Sequence, residues 1–120
     1  MTIYIVEDSQ ALVERLIESV RELGQVQVVG LADEAHTAIA KIPLLRPELV
    51  ILDLGLKTGS GMDVLRSLSK AAYQPIVFVL SNLADPVMRK ACMAAGANAF
   101  FDKSTEFPDL LTAISKHNQC

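Results

Sequence analysis

The chain has 120 residues, 51% of them hydrophobic and 21% charged, and a mean hydropathy of +0.33, which suits a single domain over residues 1–120 with a buried core. Eleven Lys and Arg against fourteen Asp and Glu give a formal charge of -3 and a pI near 5.3, so no direct nucleic-acid contact is expected. The longest apolar runs are about five residues where a bilayer span needs ~20, and Met1-Thr2-Ile3 opens into a strand with no basic leader, so a cytoplasmic protein without a membrane partner is expected.

Ile3-Tyr4-Ile5-Val6 is the first strand candidate and ends in Glu7-Asp8. A helix from about Ser9 to Leu23 follows, with Leu12, Leu16, Val20 and Leu23 on the expected core face, Val13 and Ile17 beside them, and Gly24 at its end. Gln25 to Ala32 alternates as an edge strand would. A second helix starts near Asp33 or Glu34, carries Ala35, Ala38, Ile39 and Ile42, and is expected to stop at Pro43 and Pro47. Leu49-Val50-Ile51-Leu52 ends in Asp53, and the turn Thr58-Gly59-Ser60-Gly61 leads to a third helix, to about Ala71, with Met62, Leu65 and Leu68 at core spacing. Ile76 to Leu80 ends in Ser81. Asp85 and Pro86 then suit the cap and first residue of a fourth helix that closes at Gly96. Ala99 to Asp102 ends in Lys103, and a fifth helix from about Glu106 to His117 is expected to bury Leu110, Leu111 and Ile114. Cys92, inside the fourth helix, and Cys120, at the last position, lack the number and spacing of a disulfide framework or a zinc site and are read as free thiols.

Nearly continuous apolar strands alternating with helices imply an α/β doubly wound, five-stranded parallel sheet with five helices and strand order 2-1-3-4-5. Ligands of such sheets sit beyond the carboxyl ends of the strands where the winding reverses, here between the first and third strands. Glu7, Asp8, Asp53, Ser81 and Lys103 all end strands, so they gather there. Two carboxylates ~5 Å apart repel by roughly 3 kcal/mol at an effective dielectric near ~20, so three of them require a cation. Magnesium fits oxygen donors and shared phosphate oxygens. Asp8 and Asp53 are expected as direct ligands, the Gly55 carbonyl as a third, and Glu7 as the holder of a coordinated water. Asp53 is the expected nucleophile toward phosphorus, with Ser81 and Lys103 binding the phosphoryl oxygens.

The motifs Val6-Glu7-Asp8, Val50 to Leu56 around Asp53, Gly61 eight residues after that aspartate, Leu80-Ser81 and Gly96 to Lys103 closely resemble the receiver domain of two-component response regulators, from Thr2 to His117. The resemblance implies the flavodoxin-like form of the fold, an Asp53 that takes a phosphoryl group from a partner phosphohistidine, and Mg2+ on the acidic pair and Asp53. It further implies a sensor histidine kinase or histidine phosphotransfer protein as donor, docking near Ala11, Glu14 and Arg15. Phosphorylation would move Ser81 toward the phosphoryl group and turn Phe100 inward. The output would be a changed surface on the fourth helix, fifth strand and fifth helix that meets a downstream protein target. With no output domain after the fifth helix, the chain reads as a single-domain receiver that is not an enzyme beyond assisting its own phosphorylation and dephosphorylation. Lys57 and Ser104 stand where the family often has proline; a cis Lys103–Ser104 bond would cost ~3–4 kcal/mol, so trans is expected. Phe100 replaces the commoner tyrosine, so a switch there works through ring burial.

Each residue alone has a plainer reading: Glu7-Asp8 as a helix-start device, Asp53 as a loop acid, Ser81 as a strand-end cap, Lys103 as solvated, Phe100 as core. Their joint arrival at strand ends, in the order one fold requires, favours function. His36 and His117 have no partners at metal spacing, Met88, Cys92 and Met93 suit core and partner-facing surface, and Lys57 and Lys70 read as solvated. A small aspartyl-nucleophile phosphohydrolase would commonly carry an acid two residues after its nucleophile, but Gln10 and Gly55 occupy those offsets. An FMN carrier needs a Ser/Thr/Gly-rich loop where Glu7-Asp8-Ser9-Gln10 would repel phosphate. A receiver-fold interaction module working without phosphorylation is the third alternative, against which the intact acidic set argues.

Overall fold

Strands Thr2–Val6 (β1), Gln27–Ala32 (β2), Leu49–Leu52 (β3), Ile76–Ser81 (β4) and Ala99–Asp102 (β5) alternate with helices Gln10–Glu22 (α1), Ala35–Leu45 (α2), Gly61–Ser69 (α3), Pro86–Ala94 (α4) and Phe107–Asn118 (α5). The computed structural model describes residues 1–118, and Cys120 lies outside them. All four strand pairings are parallel, in the order β2-β1-β3-β4-β5 that the sequence predicts.

The two-residue period of the strands divides the core into two layers. Tyr4, Val6, Val50, Leu52, Val77, Val79 and Phe100 pack with the buried faces of α2, α3 and α4. Ile3, Ile5, Leu49, Ile51, Phe78, Leu80 and Phe101 pack with those of α1 and α5. Each fully buried Leu, Ile, Val or Phe contributes roughly 1.5–3 kcal/mol, so the central strands are held from both faces and their carboxyl ends are fixed in space.

Several helices depart from the predicted faces by a fraction of a turn. In α1 the buried stripe is Val13, Leu16 and Val20, with Leu12, Ile17 and Leu23 half-buried at its margins. Val64 joins Leu65 and Leu68 in α3, and Met62 is only half-buried. In α5 Phe107, Leu110 and Ile114 are buried, while Leu111 is half-buried. Pro43 does not stop α2. It sits inside the helix, which runs on to Leu45 and ends at the left-handed Arg46 (φ 49°), whose N–H donates to the Ile42 carbonyl at 2.8 Å. Proline gives up one backbone bond. The fully buried Ile42 and the Arg46 guanidinium, 4.9 Å above the Tyr73 ring, hold the last turn regardless. Helix α3 ends at Ser69 rather than Ala71, where the Gln74 amide donates to the carbonyls of Leu68 (3.1 Å) and Ala71 (2.6 Å).

Gly61 opens α3 against the chain that leaves β3. Its N–H donates to the Leu54 carbonyl at 3.0 Å, and a Cβ there would overlap the Asp53 carbonyl oxygen and lie 2.7 Å from Leu54 Cα. Because the obstacle is backbone, Gly61→Ala is expected to lower stability by about 1–3 kcal/mol, read as a lower urea midpoint at unchanged slope. An unchanged midpoint would mean that the segment after β3 yields freely.

Candidate functional site

Backbone hydrogen bonding continues one residue past several strands, and this fixes the site. Beyond the in-register row Val6, Leu52, Val79 and Phe100, the Glu7 amide donates to the Ala32 carbonyl (2.9 Å), Asp53 to Val6 (2.9 Å) and Lys103 to Ser81 (3.1 Å). Glu7, Asp53 and Lys103 are therefore extensions of the ladder rather than free loop residues, and Ser81 is the last residue of β4 itself. Asp8, one residue further out, is exposed.

Glu7 and Asp53 are each 4% exposed and Ser81 1%. Carboxylate oxygens of Glu7, Asp8 and Asp53 lie within 4.8 Å of one another, the one such cluster among the described residues. At that separation each pair of charges repels by roughly 3 kcal/mol at an effective dielectric near ~20. The Lys103 ammonium answers this directly, with Nζ 2.8 Å from Glu7 Oε1 and 2.9 Å from Asp53 Oδ2. Burial pushes the Glu7 carboxyl above the usual carboxylate range and the Asp53 charge adds to the rise; Lys103 and the Ser9 N–H, 3.0 Å away, oppose it only in part. Burial acts to lower the Lys103 pKa, but the two carboxylates outweigh it and the net shift is upward.

The remaining predicted residues surround this knot. The Gly55 N–H makes a long contact with Asp53 Oδ1 (3.4 Å), and Gly55 lines a cleft of about 300 Å³ with Asp8, Ser9, Asp53, Ser81, Asn82, Leu83 and Lys103. Ser81 Oγ accepts from the Leu83 N–H at 3.1 Å. Three carboxylates and oxygen-rich surroundings are the donor set a hard divalent ion requires. The segment after Asp53 is tied to the start of α2, with the Lys57 N–H on the Asp33 carbonyl (3.3 Å) and the Ala35 N–H on that of Thr58 (3.1 Å). Lys57 also lies 3.9 Å from Asp33, an exposed pair of little energetic weight.

Phe100 is 8% exposed. The Lys103–Ser104 peptide is trans, as expected, and Asp102 Oδ1 accepts from the Ser104 N–H (2.8 Å) and Oγ (2.6 Å), forming the turn without proline. Those two bonds hold the Asp102 carboxyl below the usual carboxylate range. Arg15 on α1 stacks its guanidinium 3.8 Å from the Phe107 ring centroid. Sequence reasoning places Lys103 near the acids but misses its bond to Glu7. It also misses Arg89 on α4, which spans to Glu106 and to the backbone of β5. Neither pairing leaves a local signal, because the partners come from different elements.

Among the described residues no helix is long and apolar enough to cross a membrane. Residues 3–115 match the model of the response regulator receiver domain family. The DNA-binding transcriptional activator EvgA of Escherichia coli K12 is 27% identical over 118 residues, which cover 97% of this chain and 58% of EvgA, so the chain spans little more than half of that relative. The transcriptional regulatory protein CitB of Klebsiella pneumoniae is 32% identical over 83 residues, covering 68% of this chain and 36% of CitB. The BeF3-activated receiver domain of RstA from Klebsiella pneumoniae superposes with a TM-score of 0.82 at 26% identity, covering 98% of this chain and 97% of that one. A receiver domain from Colwellia psychrerythraea 34H reaches a TM-score of 0.90 at 20% identity, covering 100% and 99%, which speaks for the fold. Family match, topology and acidic edge agree: the chain belongs to the response regulator receiver domain family, the phosphoacceptor modules of two-component signalling.

Proposed function

We propose that Asp53 is the phosphoacceptor, supplied by the phosphohistidine of a sensor histidine kinase or histidine phosphotransfer protein. The observation that carries this reading is a buried Asp53 carboxylate that shares one cleft with Lys103, Ser81 and Asp8, with a Glu7 carboxylate oxygen within 4.8 Å of it. A carboxylate oxygen of Asp53 attacks phosphorus, the P–N bond breaks, and its electron pair stays on the imidazole nitrogen, which takes up a proton. The product is an aspartyl phosphate. The chain is not an enzyme in this reading, since it acts only on its own acyl phosphate.

Asp8, Asp53 and the Gly55 carbonyl would hold Mg2+, with Glu7 reaching it through water. When bound, the ion supplies positive charge that lowers the repulsion between Asp53 and the incoming phosphoryl oxygens. The Ser81 hydroxyl already accepts from Leu83, so its own proton is free for a phosphoryl oxygen. Lys103 can shift one of its hydrogen bonds from a carboxylate to phosphate, as a compact point charge. Donor docking near Ala11, Glu14 and Arg15 on α1 is what the family resemblance implies. Output is a protein-binding surface on α4, β5 and α5, where Val87 and Met93 of α4 are exposed, and it meets a downstream protein target in the cytoplasm.

Incubation with magnesium and a small phosphodonor should add one acid-labile phosphoryl group to the parent and none to Asp53→Asn, read by intact mass. Equal labelling of the variant would move the acceptor elsewhere. Magnesium should also raise thermal stability, by about 2.7 kcal/mol at a hundredfold excess over its dissociation constant. The raised Glu7 pKa sets the sign of the pH dependence. The folded chain keeps that proton above the unfolded value of ~4.3, so metal-free stability falls as pH rises from there through the folded pKa, while the metal, which competes with the proton, stabilises more. Melting with and without magnesium between about pH 5 and pH 7.5 tests this, and a pH-independent increment would contradict it.

A further inference from the structure

Helix α4 is weakly anchored. Cys92 is its one fully buried residue, whereas α1, α2, α3 and α5 each bury three or more, and Val87 near its start is 79% exposed. Such an element moves before the rest of a fold does. Met88 packs half-buried against the core, and the polar ties of the helix's first half to the rest of the fold come from one side chain. The Arg89 Nε donates to the Ala84 carbonyl (3.1 Å), in the segment between Ser81 and α4, and Nη1 donates to the Phe100 carbonyl in β5 (3.4 Å). Nη2 pairs with Glu106 Oε1, and the guanidinium lies 5.0 Å from the Phe100 ring centroid.

Glu106 is the joint of this arrangement. The same Oε1 that meets Arg89 also accepts the Asp102 N–H at 3.0 Å, and the Glu106 N–H donates back to the Asp102 carbonyl at 2.8 Å. Asp102 directly precedes Lys103, whose ammonium reaches Asp53. A continuous chain of contacts therefore runs from Asp53 through Lys103, the Asp102 backbone, Glu106 and Arg89 into α4. It crosses from the β5–α5 connection to α4 without passing through Ser81.

We infer that Arg89 is a positioning residue: with Glu106, it straps α4 to the backbone that carries Lys103 and transmits the state of the Asp53 site to that helix. The inference rests on Asp53 being the acceptor. A phosphoryl group that draws Lys103 toward itself displaces the backbone at Asp102, and Glu106 must follow because it is bonded there through both its carboxylate and its amide. Arg89 either follows Glu106 or releases it, and in both cases α4 changes its hold on the body.

Beryllofluoride with magnesium is the probe, fluorine NMR reads its binding, and amide hydrogen exchange reads α4. In the parent, binding should change the protection of the α4 amides by about tenfold. Arg89→Met should bind beryllofluoride like the parent, within about twofold, yet show no further change in α4 exchange on binding. Glu106→Gln keeps an acceptor for the Asp102 amide while removing the charge, and should uncouple α4 in the same way; it carries the test if methionine at position 89 unfolds the helix. Arg89→Lys should restore part of the response. An α4 response in Arg89→Met equal to that of the parent, with beryllofluoride bound, would overturn the strap and leave the acceptor assignment standing. A parent that binds no beryllofluoride would overturn both.

Discussion

One ammonium holds the functional edge together. Without the Lys103 Nζ between Glu7 and Asp53, two carboxylates that are almost wholly buried would face each other and Asp8 with no internal counter-charge. Burying unpaired charge costs several kcal/mol, so the acidic cluster and the lysine stand or fall as a unit. The same constraint makes the site responsive. In the proposed function a divalent cation would compete with Lys103 for the carboxylates and a phosphoryl group would compete with the carboxylates for Lys103, so each ligand of the edge would redistribute one positive charge.

The fold exists, in this view, to keep that unit in register. Five parallel strands sandwiched between helices leave little freedom to their central members, and ladder bonds that continue past the strands carry the rigidity to Glu7, Asp53 and Lys103. Rigidity ends where the response has to begin. Helix α4 buries one residue fully, packs Met88 half-buried and is strapped by Arg89, so it lies between the stiff edge and the surface that the proposed output would use.

The strands and their order were legible because central parallel strands are apolar on both faces and stop at polar residues, and right-handed crossovers leave few topologies. The acids, Ser81 and Lys103 that gather at the candidate site could be picked out for the same reason, since each lies at or just beyond the end of an apolar run. Helix faces were read less well: periodicity gives a stripe but not its centre, and Val13 rather than Leu12 faces the sheet in α1. Pro43 misled because a rule of local backbone chemistry was outweighed by the burial of Ile42 and the stacking of Arg46 on Tyr73. The Lys103–Glu7 bond and the Arg89–Glu106 pair were invisible, since ionic partners that meet across elements leave no local pattern.

The central claim is that Lys103 and the buried acids stabilise one another. A double-mutant cycle on Lys103→Met and Asp53→Asn, followed by urea unfolding in metal-free buffer at neutral pH, measures it most directly. Loss of the lysine should cost about 3 kcal/mol when Asp53 is charged and much less when it is neutralised. Additive effects of the two substitutions would mean that the ammonium and the carboxylate do not depend on each other, and the account would fail.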